Sequence, residues 1–216
     1  MKFFSVILDL LFPPKCVFCS RILTKSDDGW CDKCTESLPY ADNNGIQPGD
    51  GFDICVSPLY YTGVVRRSVL RYKFHGASRY AEDYGKFLAD CIRETPDISY
   101  DIISWVPLSK KRERTRGYDQ AMLLARSTAS ELGCTAEETL IKIKDVRAQS
   151  ELGDKEERSA NISGAYIAAN KDLIKGKRIL LIDDVVTTCS TLEECTSVLL
   201  SAGAAGVLCA ALARGE

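Results

Sequence analysis

The sequence predicts an α/β domain, built on a mostly parallel sheet with helices on both faces, and a small N-terminal module that contains four cysteines. Two patterns carry this prediction. From residue 52 onward, short apolar segments alternate with segments whose apolar residues recur at helical spacing, which is typical of a covered parallel sheet. Before that point, two C-x-x-C pairs fall in a segment too short to bury a core of its own. A chain of 216 residues, 45% hydrophobic and 27% charged, has room for one full domain and such a module.

Composition divides the chain into four parts. We predict a short amphipathic helix at 1–12, a cysteine module at 13–40, a polar linker at 41–51 and the α/β domain at 52–216. The apolar start is not expected to be a secretion signal, because Asp9 interrupts it and no small-residue cleavage site follows. No stretch is long enough to span a bilayer. Ten cysteines without a secreted disulfide framework favour reduced thiols and a cytoplasmic location.

The elements of the domain follow from periodicity and from the residues that end each segment. Pro107 ends a buried strand, Gly133 closes a helix, and two acidic residues follow the apolar run that begins at 178. The segment 145–161 is polar, charged and without clear periodicity, which predicts a loop. The predicted strands are 54–61, 100–108, 139–143, 164–169, 178–183 and 207–213, and the predicted helices are 64–73, 79–95, 120–132 and 191–202.

The cysteine module predicts a structural zinc site. Each C-x-x-C pair offers two thiolates from one tight turn, and two such pairs complete a tetrahedral Cys₄ site for Zn²⁺. The alternatives are a redox-active C-x-x-C or buried free thiols, but two pairs separated by 11 residues are more typical of metal binding. A closed four-cysteine site implies that zinc folds the module and does no chemistry. The predicted ligands are Cys16, Cys19, Cys31 and Cys34.

A second motif joins an apolar strand to a helix through an acidic pair and a hydroxyl-rich loop. The strand delivers Asp183 and Asp184 to its carboxyl end, where ligands of open α/β sheets bind. Two carboxylates can accept hydrogen bonds from a ribose diol, and the loop at the helix N-terminus suits a phosphate monoester. The alternative is a strand end followed by an ordinary turn. The predicted phosphate-binding residues are Thr187, Thr188, Cys189, Ser190 and Thr191.

Composition and missing motifs exclude several other functions. A net charge of −2 gives no global positive field for nucleic acid or membrane binding. The single histidine, His75, excludes mechanisms that need two, such as H-E-x-x-H zinc hydrolysis. Neither G-x-x-x-x-G-K-[ST] nor G-x-G-x-x-G occurs, so the common nucleotide-binding loops are not expected.

The acidic pair and its loop resemble the signature with which type I phosphoribosyltransferases bind 5-phosphoribosyl 1-pyrophosphate (PRPP), which usually reads DD-x-x-TTG-x-T. This chain has Cys189 where that signature has glycine, and a side chain there fits most easily at negative φ. The chain as a whole resembles the ComF competence family of bacteria, whose members are linked to uptake of transforming DNA. The motifs that carry this resemblance, after the cysteine module, are Lys73-Phe74-His75-Gly76, Val106-Pro107, Arg114 to Ala121, Gln149 to Asn161 and Gly164-Ala165-Tyr166.

The resemblance implies a type I phosphoribosyltransferase fold that binds PRPP, or a related ribose 5-phosphate, with Mg²⁺. It also implies that Lys73 contacts substrate and that cations after the strand ending at Pro107 contact pyrophosphate. Plain solvation or contact with DNA phosphates is the alternative for those cations. The predicted pyrophosphate-binding residues are Arg112, Arg114 and Arg116.

Phosphoribosyl transfer needs a lid, because water would intercept its oxocarbenium-like transition state. The polar loop from Asp145 to Ala160 is long enough to close over the site, and an ordinary surface loop is the alternative. The predicted lid residues are Arg147, Gln149 and Arg158.

Two functional hypotheses follow. In the first, the protein is a phosphoribosyltransferase that passes the phosphoribosyl group to an acceptor that no motif identifies. In the second, it binds PRPP or a nucleotide without turnover and serves DNA uptake by contacting single-stranded DNA or a competence helicase. The acidic pair favours the first hypothesis and Cys189 favours the second.

Overall fold

A parallel β-sheet lies at the centre of the molecule, whose computed structural model describes residues 13–24, 29–145 and 164–215. Five strands join this sheet in the order β1-β7-β6-β3, with β2 also paired to β7, and all these pairings are parallel. The other two strands, β4 and β5, form a small antiparallel pair. The predicted parallel sheet is therefore confirmed. In chain order the strands are β1 (Cys55–Val56), β2 (Leu59–Tyr60), β3 (Ile102–Trp105), β4 (Leu140–Lys142), β5 (Tyr166–Ala168), β6 (Arg178–Val186) and β7 (Gly206–Arg214).

Helices cover both faces of the sheet, as predicted. Successive side chains of β6 alternate between the faces, so Leu180 joins one core and Leu181 joins the other. The first core contains side chains of α2, α3 and α5, and the second contains those of α6 and α7. The helices are α1 (Asp32–Ser37), α2 (Gly63–Phe74), α3 (Tyr80–Glu94), α4 (Lys110–Arg116), α5 (Gln120–Glu131), α6 (Lys171–Ile174) and α7 (Ser190–Ser201).

Three elements differ from the sequence prediction. The strand expected at 54–61 is split into β1 and β2 at Ser57 and Pro58, because the Ser57 amide donates to the Asn44 carbonyl and proline has no amide hydrogen. β6 runs three residues past its predicted end, to Val186, because β7 is long enough to pair with it there. The cations after Pro107 lie on a helix, α4, which is not among the predicted helices.

The cysteine module packs against the same core as the α/β domain. The ring of Phe18, between the first two cysteines, contacts Trp30 of the module and Tyr84 and Phe87 of α3. Arg71 of α2 donates to the Phe18 carbonyl at 2.7 Å and to the carbonyl of the preceding residue at 2.9 Å. Module and domain therefore share buried apolar contacts and hydrogen bonds.

The segment 41–51, predicted as a linker, is partly structured. It contains a 3₁₀ turn at Asp42–Gly45, and the backbone of Gln47 pairs with that of Cys55 in β1. The predicted helix at 1–12 and the predicted lid residues Arg147, Gln149 and Arg158 lie outside the described residues. Within the described part of the chain, no helix has the length and apolar character needed to cross a membrane.

Candidate functional site

The acidic pair lies near the carboxyl end of the central strand β6, where an ion pair joins it to α2. The Lys73 Nζ atom, from the last turn of α2, lies 2.9 Å from Asp184 Oδ1. The backbone amide of Asp184 donates to Asp183 Oδ1 at 2.7 Å. The structure therefore brings together Asp183, Asp184 and Lys73, three residues that the sequence singled out.

Burial changes the protonation of the acidic pair. Removal from water, followed by the charge of Asp184, raises the pKa of Asp183 to about 8, and the nearby Lys73 ammonium only partly opposes this shift. Burial beside a second carboxylate therefore favours the protonated form of Asp183. In that form it can donate one hydrogen bond and accept others, while Asp184 is held by Lys73.

The hydroxyl-rich loop follows β6 and leads directly into α7. Thr187 and Thr188 precede Cys189, and α7 begins at Ser190, one residue earlier than predicted. Cys189 has φ +60° and not the negative φ at which a side chain fits most easily. The loop has the left-handed conformation that glycine adopts most easily. The Thr188 and Ser190 hydroxyls lie 3.2 Å apart at the positive end of the helix, and Thr191 follows in its first turn.

Gln47 reaches this loop from the segment predicted as a linker. Its Nε2 atom donates to the Cys189 sulfur at 3.7 Å. Because 142 residues separate the two side chains, no local pattern could have predicted the contact. Gln47 thus fixes the thiol at the base of the candidate phosphate site.

The three arginines of α4 do not share one environment. Arg112 and Arg116 are one helical turn apart and half-buried, whereas Arg114 is exposed. Burial lowers the pKa of Arg116, and the negative charge of Asp184 opposes that shift. Arg112 and Lys111 lie 3.6 Å and 3.3 Å from Asp145 at the start of the predicted lid. The structure therefore brings Arg116 near Asp184, pairs Arg112 with Asp145 and leaves Arg114 exposed.

The junction between α4 and α5 is fixed by the buried Asp119. Its Oδ1 accepts the Met122 amide at 3.0 Å as the cap of α5, and its Oδ2 accepts the Leu108 amide at 2.7 Å. Burial raises the pKa of Asp119, although these two amides favour its charged form. The carboxylate thus fixes the segment after β3, which leads into α4, to the start of α5.

Lys142 is a further cation near the acidic pair, and the sequence prediction missed it. Its Nζ atom donates to the Tyr166 hydroxyl at 2.9 Å, across the β4–β5 pair. Burial lowers the pKa of Lys142, while the charge of Asp183 opposes that change. In the sequence, Lys142 is a single lysine in a predicted strand, with no motif around it. Its position near Asp183 depends on how the β4–β5 pair packs against the main sheet, which no local pattern predicts.

The four module cysteines form a metal site. Their sulfur atoms all lie within 4.8 Å of one another. Cys16 and Cys34 are 3.7 Å apart, as are Cys19 and Cys31. Tetrahedral zinc with bonds of about 2.3 Å places sulfurs about 3.8 Å apart. The donor set and its spacing therefore fit a structural Zn²⁺.

Comparison with known proteins identifies both parts of the chain. A phosphoribosyl transferase domain model matches residues 119–216, and a double zinc ribbon domain model matches residues 7–44. The chain therefore contains a phosphoribosyl transferase domain, preceded by an N-terminal zinc ribbon that holds the four-cysteine site.

Individual relatives of this chain specify the family more closely. Competence protein F of Haemophilus influenzae is 26% identical over 93% of this chain and 96% of its own. DNA utilization protein YhgH of Salmonella typhimurium is 28% identical over 92% of this chain and 96% of its own. Competence protein ComFC of Bacillus subtilis is 29% identical over 67% of this chain and 57% of its own. The chain is a homologue of these competence and DNA utilization proteins, which confirms the resemblance to the ComF family.

Proposed function

We propose that this protein binds PRPP with Mg²⁺ and transfers its phosphoribosyl group to an acceptor. The observation that carries the proposal is the acidic pair placed directly before a loop at a helix N-terminus. Asp183 and Asp184 hold the ribose hydroxyls, with Lys73 held beside them at 2.9 Å from Asp184. The 5-phosphate occupies the loop formed by Thr187, Thr188, Cys189, Ser190 and Thr191, where backbone amides meet the positive end of α7.

In this proposal, the pyrophosphate group of PRPP binds beside α4. Arg112 and Arg116 are half-buried and lie one turn apart on that helix, and Arg116 interacts electrostatically with Asp184. Their guanidinium groups match phosphate oxygens. Mg²⁺ is an oxygen-seeking cation that lowers the charge of the leaving pyrophosphate, and the diphosphate, ribose and water supply most of its ligands. The predicted lid, with Arg147, Gln149 and Arg158, excludes water during transfer.

A second candidate function is an accessory role without turnover. Relatives of this chain are named for competence and DNA utilization, and this support leads to the proposal that the protein acts in DNA uptake, in the cytoplasm. In that role the ribose phosphate site senses PRPP or a nucleotide. The exposed cations of α4 then contact single-stranded DNA, or the zinc ribbon docks a competence helicase.

Calorimetric titration of PRPP with Mg²⁺ tests the binding site. We expect wild type to bind with Kd on the order of micromolar and the Asp183→Asn/Asp184→Asn double variant to lose binding. Arg112→Ala should weaken binding about tenfold through loss of one guanidinium contact, and Arg114→Ala is the matched control on the exposed side of the same helix. Absence of binding by folded, zinc-loaded wild type would overturn the proposal.

Pyrophosphate release separates the two functions. With PRPP, Mg²⁺ and a panel of acceptor bases, transfer predicts steady release of pyrophosphate that depends on the added acceptor. Tight PRPP binding without any release above the rate in buffer would instead establish the accessory role.

A further inference from the structure

Phe74 is an exposed aromatic side chain at the edge of the candidate site. It is the last residue of α2 and directly follows Lys73, whose ammonium contacts Asp184. The Phe74 side chain is 59% exposed. Burying a phenylalanine is strongly favourable, so exposure at this position leaves a large apolar face open beside the polar groups that would hold ribose and pyrophosphate.

Arg116 covers the ring of Phe74 with its guanidinium. The guanidinium carbon lies 4.8 Å from the ring centroid. A hydrogen bond of 2.7 Å from Arg116 to the Gln120 side chain fixes the orientation of the arginine. The same arginine interacts electrostatically with Asp184, and Lys73, the residue before Phe74, contacts Asp184 directly. The aromatic ring and the sugar site are therefore neighbours.

The end of α2 is tied to the α4–α5 junction, so the ring has a fixed base. The Tyr118 hydroxyl donates to the Tyr72 carbonyl, and the Tyr72 hydroxyl donates to the Gln120 carbonyl. The motif Arg116 to Gln120, which the sequence singled out, thus holds the last turn of α2 in place. A preorganised ring loses little entropy when a flat ligand stacks on it.

We infer that Phe74, backed by Arg116, is the stacking surface for the planar heterocyclic base that accepts the phosphoribosyl group. This inference rests on the proposed function. A base joined to the ribose must lie next to the sugar, and an aromatic ring can stack on any heterocycle. A guanidinium at the ring adds a cation–π contribution to the platform.

A single free base fits this surface better than a nucleic-acid strand. Strand binding uses several aromatic platforms for successive bases. Among the described residues, Tyr40 is the other large aromatic side chain that is exposed, and it is stacked on Phe87 at 6.0 Å. The surface is therefore one ring wide.

Nucleotide titration tests the inference on the zinc-loaded full chain. The probes are ribose 5-phosphate, guanosine 5′-monophosphate and uridine 5′-monophosphate. We expect wild type to bind at least one nucleotide about tenfold more tightly than ribose 5-phosphate, since stacking contributes that order of free energy. Phe74→Leu should lose this preference but keep its affinity for ribose 5-phosphate. Phe74→Trp should keep the preference, and its fluorescence should be quenched on binding.

The outcomes distinguish this inference from the proposed function. If wild type binds ribose 5-phosphate and the Asp183→Asn/Asp184→Asn variant does not, the sugar site stands. If the preference for nucleotides is then absent, or survives in Phe74→Leu, the stacking surface is overturned alone. Binding of a thymidine oligonucleotide that depends on Phe74, without binding of either mononucleotide, would also overturn it. If wild type binds none of these probes, the stacking surface is overturned, and the titration of PRPP with Mg²⁺ decides the proposed function separately.

Discussion

Cys189 places a side chain at a backbone position that glycine occupies most easily. Its φ of +60° gives the loop the shape that glycine would favour. A left-handed residue with a β-carbon costs roughly 1–2 kcal/mol. The hydrogen bond from Gln47 to the thiol offsets part of this cost, because it satisfies a side-chain amide that packs against the loop. The cysteine therefore alters the chemistry at the base of the loop while leaving its backbone shape.

Substitutions at position 189 test this interpretation. Cys189→Gly should change PRPP affinity less than about threefold, because the backbone already has the glycine-like conformation. Cys189→Val should lower the free energy of unfolding by about 1–2 kcal/mol, since β-branched residues avoid positive φ. Denaturant unfolding and calorimetry measure the two effects. A valine variant as stable as wild type would contradict the assigned conformation.

Asp183 predicts a pH dependence of stability. Its folded pKa is about 8, above the value of about 4 expected when unfolded. The folded state therefore binds this proton more tightly, and the contribution of Asp183 to stability falls as pH rises from about 4 through 8. Asp183→Asn removes this titration, so its Tm relative to wild type should rise between pH 5 and pH 9. Asp90→Asn, an exposed change on α3, is the control. A difference in Tm that does not vary with pH would contradict the prediction.

At the level of elements, α4 is a helix that the sequence analysis did not predict, because its residues form a charged run. Its sequence has no apolar periodicity, and none of its side chains is buried, so periodicity gave no sign of a helix. Its ends decide the structure: the Ser109 hydroxyl accepts the Arg112 amide, and Gly117 takes φ +83° to end the helix. On this helix Arg112 and Arg116 are half-buried, whereas Arg114 is exposed.

The junction after α4 predicts a large effect of one substitution. Asp119→Ala removes the cap of α5 and leaves the Leu108 amide without its acceptor. Loss of a cap and an unpaired buried donor each cost about 1–2 kcal/mol, so the free energy of unfolding should fall by about 2–4 kcal/mol. Asp119→Asn keeps one acceptor oxygen and should lose less. Urea unfolding measures both variants, and equal losses would argue against the two-amide contact.

At the scale of the whole molecule, the zinc ribbon and the α/β domain form one folding unit. Phe18 and three of the four module cysteines belong to the same buried cluster as Leu180 and Ile182 of the sheet. Loss of zinc should therefore lower the thermal stability of the α/β domain as well as that of the ribbon. Side-chain contacts across this boundary, and not a linker, set the relation between the two parts.

The two tryptophans provide the test, since Trp30 lies in the ribbon and Trp105 in the sheet. In the single-tryptophan variants Trp30→Phe and Trp105→Phe, thermal unfolding should give one common midpoint with zinc bound. Chelation should lower both midpoints by on the order of 10 °C, because metal binding energy is folding energy. An unchanged Trp105 midpoint after chelation would contradict a shared core.

Sequence predicts features that depend on neighbouring residues and misses those that depend on distant ones. The parallel sheet and the four-cysteine site follow from local patterns, and both are confirmed. The sequence also singled out Asp183 and Asp184 together, because they are adjacent in the chain. Gln47 and Lys142 gave no signal, because their partners in the site come from other parts of the chain. The sequence analysis grouped Arg114 with Arg112 and Arg116, but in α4 Arg114 is exposed and the other two are half-buried.

The position of β7 sets the order in which the chain can fold. β7 lies between β6 and the first two strands, and Cys55 of β1 pairs with Cys209, about 150 residues later. On the ribosome, the zinc ribbon has all its ligands once Cys34 has emerged. By contrast, β1 has no neighbouring strand in the sheet until residues 206–214 have been synthesised. During that interval β1 and β2 lack the strand that they pair with, and unpaired apolar strands are prone to aggregation. The sheet is therefore complete only after β7 has been synthesised, and a chain terminated before β7 would leave β1 and β2 without their partner.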